Sequence, residues 1–93
     1  MSHQFLVHAP HDSVGVAITD IHAGEKVEGI VLEDNSVVKV PAVQDVPLGH
    51  KIAVLPLAAG DKVIKYSVPI GVARVSIKPG EHVHVHNVKS GRW

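Results

Sequence analysis

Three histidines alternate with valine near the C-terminus, in the segment Pro79–Asn87, whose sequence is PGEHVHVHN. Successive side chains of a β-strand point to opposite faces, so this spacing predicts three imidazoles on one face and two valines in a core. Imidazoles bind divalent metals, and they can also hold an anion or exchange a proton near neutral pH. We therefore predict a site in which one or two of His82, His84 and His86 contact a metal or substrate, and the third supports them.

Other polar residues could complete such a site. His50 follows a glycine turn and could act as a general acid or base, with a simple surface turn residue as the alternative. Lys51 and Lys65 could pair with a carboxylate or sulfonate, or could lie exposed on strand edges. Asp12 could ligate the metal or orient an imidazole, and capping a turn is an equal alternative. The predicted catalytic residues are His50, His84 and His86, and the predicted substrate contacts are Lys51, Lys65 and Asn87.

Short β-strands must position these residues, because valine and isoleucine dominate the apolar positions. Eight glycines and six prolines leave little room for a long helix. We predict a small all-β domain of many short, bent strands over residues 1–88, followed by a tail of residues 89–93. At most one or two helical turns are expected, near Val43–Asp45 or Leu57–Ala59. The predicted strands are Gln4–His8, Val14–Ile18, Lys26–Leu32, Ser36–Val40, Lys51–Leu55, Lys62–Tyr66, Ile70–Ile77 and His82–Asn87.

A short phrase recurs where the strands should turn. The sequence AGEKV of Ala23–Val27 returns with variations in residues 48–52, 59–63 and 79–83. In each copy we predict that the glycine adopts a positive φ, and that the aliphatic residue at the end starts a strand. Asp34–Ser36 is predicted to form a hairpin turn.

Composition excludes several function classes. The nine basic and nine acidic residues give a formal net charge of zero, with no basic run, so neither nucleic acid nor an anionic membrane is an expected partner. The chain has no cysteine and no apolar segment long enough for a signal peptide or a membrane span. These features predict a cytoplasmic protein, since a chain without disulfides is compatible with a reducing compartment.

Five phrases together carry a family resemblance. They are HDSVGV at His11–Val16, QDVPLGHK at Gln44–Lys51, DKVIKY at Asp61–Tyr66, Ile70–Gly71, and GEHVHVHN at Gly80–Asn87. In this order they resemble the SAF-type β-clip domain that opens the altronate and galactarate dehydratases, from about Phe5 to Asn87. The family phrase has glycine where this chain has Ser67. This serine must adopt the glycine conformation at a cost, or the loop must differ.

The resemblance implies a role in catalysis. In those dehydratases a much larger catalytic domain follows, whereas this chain stops at Trp93, which is similar to the split form of the family with a separate small subunit. It implies a β-elimination on a small 2-hydroxy acid, assisted by iron(II) or another divalent metal, in a complex with a large catalytic subunit. The expected reaction converts (2R)-sulfolactate to pyruvate and sulfite, and water loss from an altronate- or galactarate-type sugar acid is the alternative. The isolated chain is expected to be inactive.

The C-terminal tail is predicted to contact the partner. Trp93 is the only tryptophan and follows Arg92, and both residue types are over-represented among interface hot spots. Two other function classes stay open at this point. The chain could be a non-catalytic module that binds a metal or a sugar acid. It could also be an oligomerisation domain, with self-association of the isolated chain, but that leaves the histidines unexplained.

Overall fold

Residues 3–90, the part of the chain that this computed structural model describes, form nine short β-strands and no helix. The all-β prediction is thus confirmed, and within this range no helix is long and apolar enough to cross a membrane. The strands are β1 (Phe5–Val7), β2 (Val14–Ala17), β3 (Lys26–Val31), β4 (Val37–Pro41), β5 (Lys51–Ala53), β6 (Lys62–Lys65), β7 (Val68–Ala73), β8 (His82–Val83) and β9 (Val88–Ser90).

The strands form two sheets. The larger sheet has the order β4-β3-β1-β2-β5-β8, and the smaller has the order β6-β7-β9. β1 and β3 pair in parallel, while the other strand pairs are antiparallel. The histidine-bearing strand β8 therefore lies at one edge of the larger sheet, and the chain passes directly from it into the smaller sheet through β9.

Two apolar clusters fill the interior. The first surrounds Phe5, which is fully buried, and a Cβ on Gly29 would collide with its ring. Glycine at this position lets β3 lie against the single large aromatic side chain of the core. The second cluster lies between the two sheets and includes Val63 and Ile77, with Val83 of β8 also buried in it. Burial of Val83 fixes β8 at the sheet edge, because aliphatic burial contributes about 1.5–3 kcal/mol per side chain.

The recurring turns have the predicted backbone. Gly24, Gly49, Gly60 and Gly80 all have φ between 86° and 93°, a region that residues with a Cβ rarely adopt. At Gly80 the requirement is twofold, because a Cβ there would also collide with the carbonyl oxygen of Pro41. The predicted hairpin turn is confirmed as well: Asn35 has a φ of 60° between the antiparallel strands β3 and β4.

Other strand and turn predictions need correction. The strand predicted over His82–Asn87 ends at Val83, and residues 84–87 form a turn. Val85, predicted to lie in the core, is exposed. β7 begins and ends earlier than predicted, and Val88–Ser90, part of it assigned to the tail, forms strand β9 paired with β7. No helical turn forms at residues 43–45 or 57–59, where bridges from Val46 to Ile21 and from Leu57 to Ile77 hold the chain extended.

Asp12 explains how the β6–β7 hairpin tolerates Ser67. Tyr66 and Ser67 have φ values of 55° and 62°, as in a two-residue type I′ turn, so the serine does adopt a left-handed conformation. The Asp12 carboxylate is buried and accepts hydrogen bonds from both of their N–H groups, at 2.9 and 2.8 Å. It accepts a third from the Ala9 N–H at 3.2 Å. Asp12 therefore caps turns, which is the alternative role considered for it.

Candidate metal centre and adjoining pocket

Four imidazoles meet at the β8 edge of the larger sheet. His50 Nδ1 and His82 Nε2 lie 2.9 Å apart, so one of these nitrogens donates a hydrogen bond to the other. The His84 ring lies 4.6 Å from the His50 ring and is stacked at 5.6 Å on the His82 ring. The His86 ring lies 5.3 Å from the His82 ring. We call these four residues the histidine cluster.

Strand register brings His50 into the cluster. β5 pairs with β8 so that Lys51 lies opposite Val83 and Ile52 opposite His82. Continuing this antiparallel register by one residue places His50 opposite His84, although neither residue belongs to a strand. The site is therefore assembled by pairing between two segments that are distant in sequence, the one around His50 and the one around His84. The predicted alternation of three histidines along one strand does not assemble it.

His50 is free to join the cluster because its turn needs no capping carboxylate. In the other three recurring turns the residue after glycine is Glu25, Asp61 or Glu81, and its carboxylate accepts a hydrogen bond from the N–H three residues earlier. The corresponding residue before His50 is Pro47, which has no N–H to satisfy. An imidazole can therefore occupy this position without leaving a donor unpaired.

Asn87 closes the turn that carries His84 and His86. Its Nδ2 donates to the His82 carbonyl at 2.8 Å, and its Oδ1 accepts from the His84 N–H at 3.0 Å. Asn87 is 3% exposed, and its amide fixes the backbone of two histidines at once. Its role as a substrate contact stays a prediction.

The donor set fits a divalent transition metal. One ring nitrogen from each of His50, His82 and His84 can be chosen so that all three lie within 4.8 Å of one another. Two nitrogens that each bind one ion at about 2.1 Å are separated by roughly 3.0–3.4 Å, close to the observed His50–His82 spacing. Imidazole suits zinc, copper, nickel and iron alike. His86 and Asp12, also predicted as ligands, are outside this group of three.

Electrostatics favour the neutral form of one imidazole in the cluster. Burial lowers the pKa of His82, and the neighbouring charges of His50, His86 and His84 lower it further. The neutral imidazole that this favours is the form that ligates a metal. Gln44 fixes the position of His82 by accepting its backbone N–H at 3.0 Å.

A pocket of about 360 Å³ adjoins the cluster at the junction of the two sheets. We call it the lysine pocket, because both lysines predicted to contact substrate line it. Burial, followed by the nearby charge of Lys65, lowers the pKa of Lys51. His84 belongs to both the cluster and the pocket. The remaining lining residues are the aliphatic side chains Ile70, Val83, Val85 and Val88.

The structure thus brings together six of the predicted site residues and separates others. His50, His84, His86, Lys51 and Lys65 surround one region, with His82 beside them. Arg92 and Trp93 lie outside the described residues, so their predicted role at an interface stays a prediction. His50 was not predicted to belong to the candidate metal-binding group. The signal for it was an imidazole at the position where the other recurring turns have an acidic residue.

Comparison with known proteins shows similarity over the whole chain. Residues 3–91 match the family described as altronate/galactarate dehydratase SAF domain. The chain is 45% identical, over the full length of both proteins, to the (2R)-sulfolactate sulfo-lyase subunit alpha of Chromohalobacter salexigens. The subunit of the same name from Paracoccus pantotrophus is 47% identical over 69% of this chain and 96% of its own. Altronate dehydratase of Escherichia coli is 43% identical over 85% of this chain and 15% of its own.

Proposed function

This chain belongs to the altronate/galactarate dehydratase SAF domain family, and we propose on that basis that it is the small subunit of a heteromeric lyase. The proposed reaction is elimination of sulfite from (2R)-sulfolactate, which leaves pyruvate. Two relatives that are similar over at least 96% of their own length are named as the alpha subunit of such a lyase. Their names support a partner subunit, which would be the large catalytic subunit of the same family.

The observation that carries this proposal is the convergence of His50, His82 and His84 beside a cationic pocket. A purely structural subunit would have no need of three imidazole nitrogens within reach of one ion. We propose that these three residues hold the metal, and that it is iron(II) in the assembled enzyme. A bound divalent ion supplies Lewis acidity, which stabilises negative charge developing on a substrate carboxylate or hydroxyl.

The elimination needs two proton transfers, one from a carbon of the substrate and one to the enol that forms. A base removes the proton from the carbon that bears the hydroxyl, and the electrons of that C–H bond form a carbon–carbon double bond. The adjacent carbon–sulfur bond breaks, and its electron pair departs with sulfite. The enol that remains takes up a proton and becomes pyruvate.

His86 is the imidazole that this chain leaves free for proton transfer. It is exposed and lies beside His82, but it is outside the three-nitrogen group. Histidine is the side chain that most often serves as a general acid or base. The large subunit would supply the remaining acid–base groups and cover the exposed side of the site, since a domain with shallow pockets cannot exclude water by itself.

A second candidate function is water loss from a sugar acid, as the small subunit of an altronate-type dehydratase. It is supported by the 43% identity between this chain and a segment of altronate dehydratase. Both candidates use the same elimination and differ in the group that departs. A binding module without catalytic function is the remaining alternative.

The test is co-expression of this chain with the large subunit, followed by assays on the purified complex. Release of sulfite from (2R)-sulfolactate is expected with the complex and not with the chain alone. Water loss from altronate without sulfite release would support the second candidate. A complex that turns over neither substrate would leave only the binding module.

Variants of the complex separate the proposed roles. His86→Gln should lower kcat by about 10²-fold or more, the usual contribution of one acid–base group, while iron content stays unchanged. His84→Ala should lower both activity and iron content. His22→Ala, in an exposed turn outside the cluster, is the matched control and should retain both.

A further inference from the structure

The lysine pocket carries positive charge that no carboxylate among residues 3–90 balances. Lys39 and Glu28 form the one ion pair between side chains of the described residues, so no carboxylate of that part of the chain lies within 4.0 Å of Lys51 or Lys65. Two ammonium groups on one pocket repel each other, most strongly where water is partly excluded. An anion between them would relieve this repulsion.

Lys65 is held beside the pocket without being neutralised. Its Nζ lies 4.6 Å from the centroid of the Tyr66 ring, a cation–π contact. The ring attracts the ammonium group through its quadrupole but carries no net charge. Tyr66 itself is fixed at the hairpin turn by the hydrogen bond from its N–H to Asp12. Lys65 therefore has a contact that does not neutralise it, and its side chain borders both the lysine pocket and the pocket beside Tyr66.

The rest of the pocket is apolar and small. Val83 is buried at its base, and Val85 and Val88 contribute further aliphatic surface. A pocket of about 360 Å³ is at the lower end of the range for small-molecule sites. A free inorganic ion would leave the aliphatic walls uncovered, whereas an anionic group on two or three carbons would cover them.

We propose that the lysine pocket binds the oxyanion of a small organic acid, a carboxylate or a sulfonate, between Lys51 and Lys65, with its carbon skeleton against the valines. His84 belongs both to the pocket lining and to the histidine cluster. The carbon skeleton of the bound acid therefore extends from the pocket toward the cluster. The inference that this ligand is the substrate rests on the proposed function. Binding of the anion does not rest on the proposed function, because it needs neither a metal nor a partner subunit.

The test is a titration of the metal-free full chain, followed by NMR of its valine methyl groups. The ligands are (2R)-sulfolactate, lactate with only a carboxylate, 2-hydroxyethanesulfonate with only a sulfonate, and inorganic sulfate. Saturable shifts are expected at Val83, Val85 and Val88 but not at Val37 on the far strand β4. Lactate and 2-hydroxyethanesulfonate show which of the two groups the lysines hold.

Charge-removing variants test the role of each lysine. Lys51→Met and Lys65→Met should each weaken binding by about tenfold or more, because each removes a charge-assisted contact. Lys62→Met, exposed on the same strand as Lys65 but outside the pocket lining, should leave binding unchanged. The wild-type titration decides the matter even if one of these variants fails to fold.

Two results would overturn the inference. One is the absence of saturable shifts at the pocket with every organic acid, and the other is a response to sulfate that the organic acids do not exceed. Failure of the lyase proposal is seen separately, in the complex. If the chain binds lactate in this pocket while the complex eliminates neither sulfite nor water, the anion site is retained and the lyase proposal fails.

Discussion

Pro47 determines which types of side chain the turn accepts at position 50. Each recurring turn needs an acceptor for the N–H three residues before its polar residue, and glutamate or aspartate provides it in three turns. Pro47 removes that N–H, and the next one, Leu48 N–H, is bound by Asp20 at 2.9 Å. His50 can then form its hydrogen bond with His82. An imidazole therefore occupies the position that a capping carboxylate has in the other turns, without leaving a backbone donor of the turn unpaired.

Metal affinity should depend on the three histidines whose ring nitrogens converge, His50, His82 and His84. Titration of the metal-free chain with Co²⁺, monitored by visible absorption and calorimetry, should show one site per chain. His50→Ala and His82→Ala should each weaken it by about tenfold or more, since each removes a ligand bond and not only an outer contact. His86→Ala should have a smaller effect. Equal weakening by His86→Ala and His50→Ala would point instead to the three histidines of the alternating segment.

Asp34 should make stability depend on pH in the acid range. The Ser36 hydroxyl and then the Ser36 N–H bind its carboxylate and lower its pKa. Because the folded pKa lies below the unfolded value of about 3.9, this contribution is present above that pH and is lost as the pH falls through the folded pKa. The stability difference between wild type and Asp34→Asn, measured by thermal unfolding, should therefore shrink below about pH 4. Ser36→Ala should reduce the same pH dependence, and an unchanged profile would contradict the assignment.

At the scale of strands and turns, local pattern predicted most of the fold and failed where tertiary contacts compete with it. Glycine spacing located the turns, because positive φ is a local requirement. The alternating segment His82–Asn87 has an ideal strand pattern, yet Asn87 bonds back to the His82 carbonyl and ends the strand after two residues. Val85 is exposed as a result, and a second strand, Val88–Ser90, begins in the other sheet. No local periodicity indicates such a change of sheet.

The same reasoning applies to the Asp12 cap, because two of its three partners, Tyr66 and Ser67, are more than 50 residues away in sequence. Asp12→Ala would leave the N–H groups of Tyr66 and Ser67 without an acceptor while both residues keep their left-handed backbone. A hydrogen bond contributes roughly 0.5–1.5 kcal/mol net, and Asp12 accepts three, so urea denaturation should show a loss of about 2–4 kcal/mol. Asp45→Ala removes a single exposed cap, of the Ala23 N–H, and should cost about 1 kcal/mol or less. Similar losses in both variants would show that the hairpin does not depend on this carboxylate.

At the scale of the whole molecule, the site lies at one end of the larger sheet and is open to solvent. The order β4-β3-β1-β2-β5-β8 puts the histidine cluster at the β8 edge and leaves β4 at the opposite edge. Exposed aliphatic residues flank the cluster: Leu48, two residues before His50, is 61% exposed, and Val85, between His84 and His86, is 57% exposed. A partner that covers the site must also cover these side chains, and their burial would favour association.

Association with the proposed large subunit should therefore be sensitive to charge at the β8 edge and insensitive to it at the β4 edge. Val85→Asp and Leu48→Asp each put a carboxylate where an aliphatic side chain would be buried. Each should weaken the complex by about tenfold or more in a pull-down titration, because an unpaired buried charge is costly. Val37→Asp makes the same change on β4, where Val37 is 52% exposed, and should leave association unchanged. Loss of binding in Val37→Asp, with Val85→Asp still bound, would place the partner on the opposite edge and leave the histidine cluster uncovered in the complex.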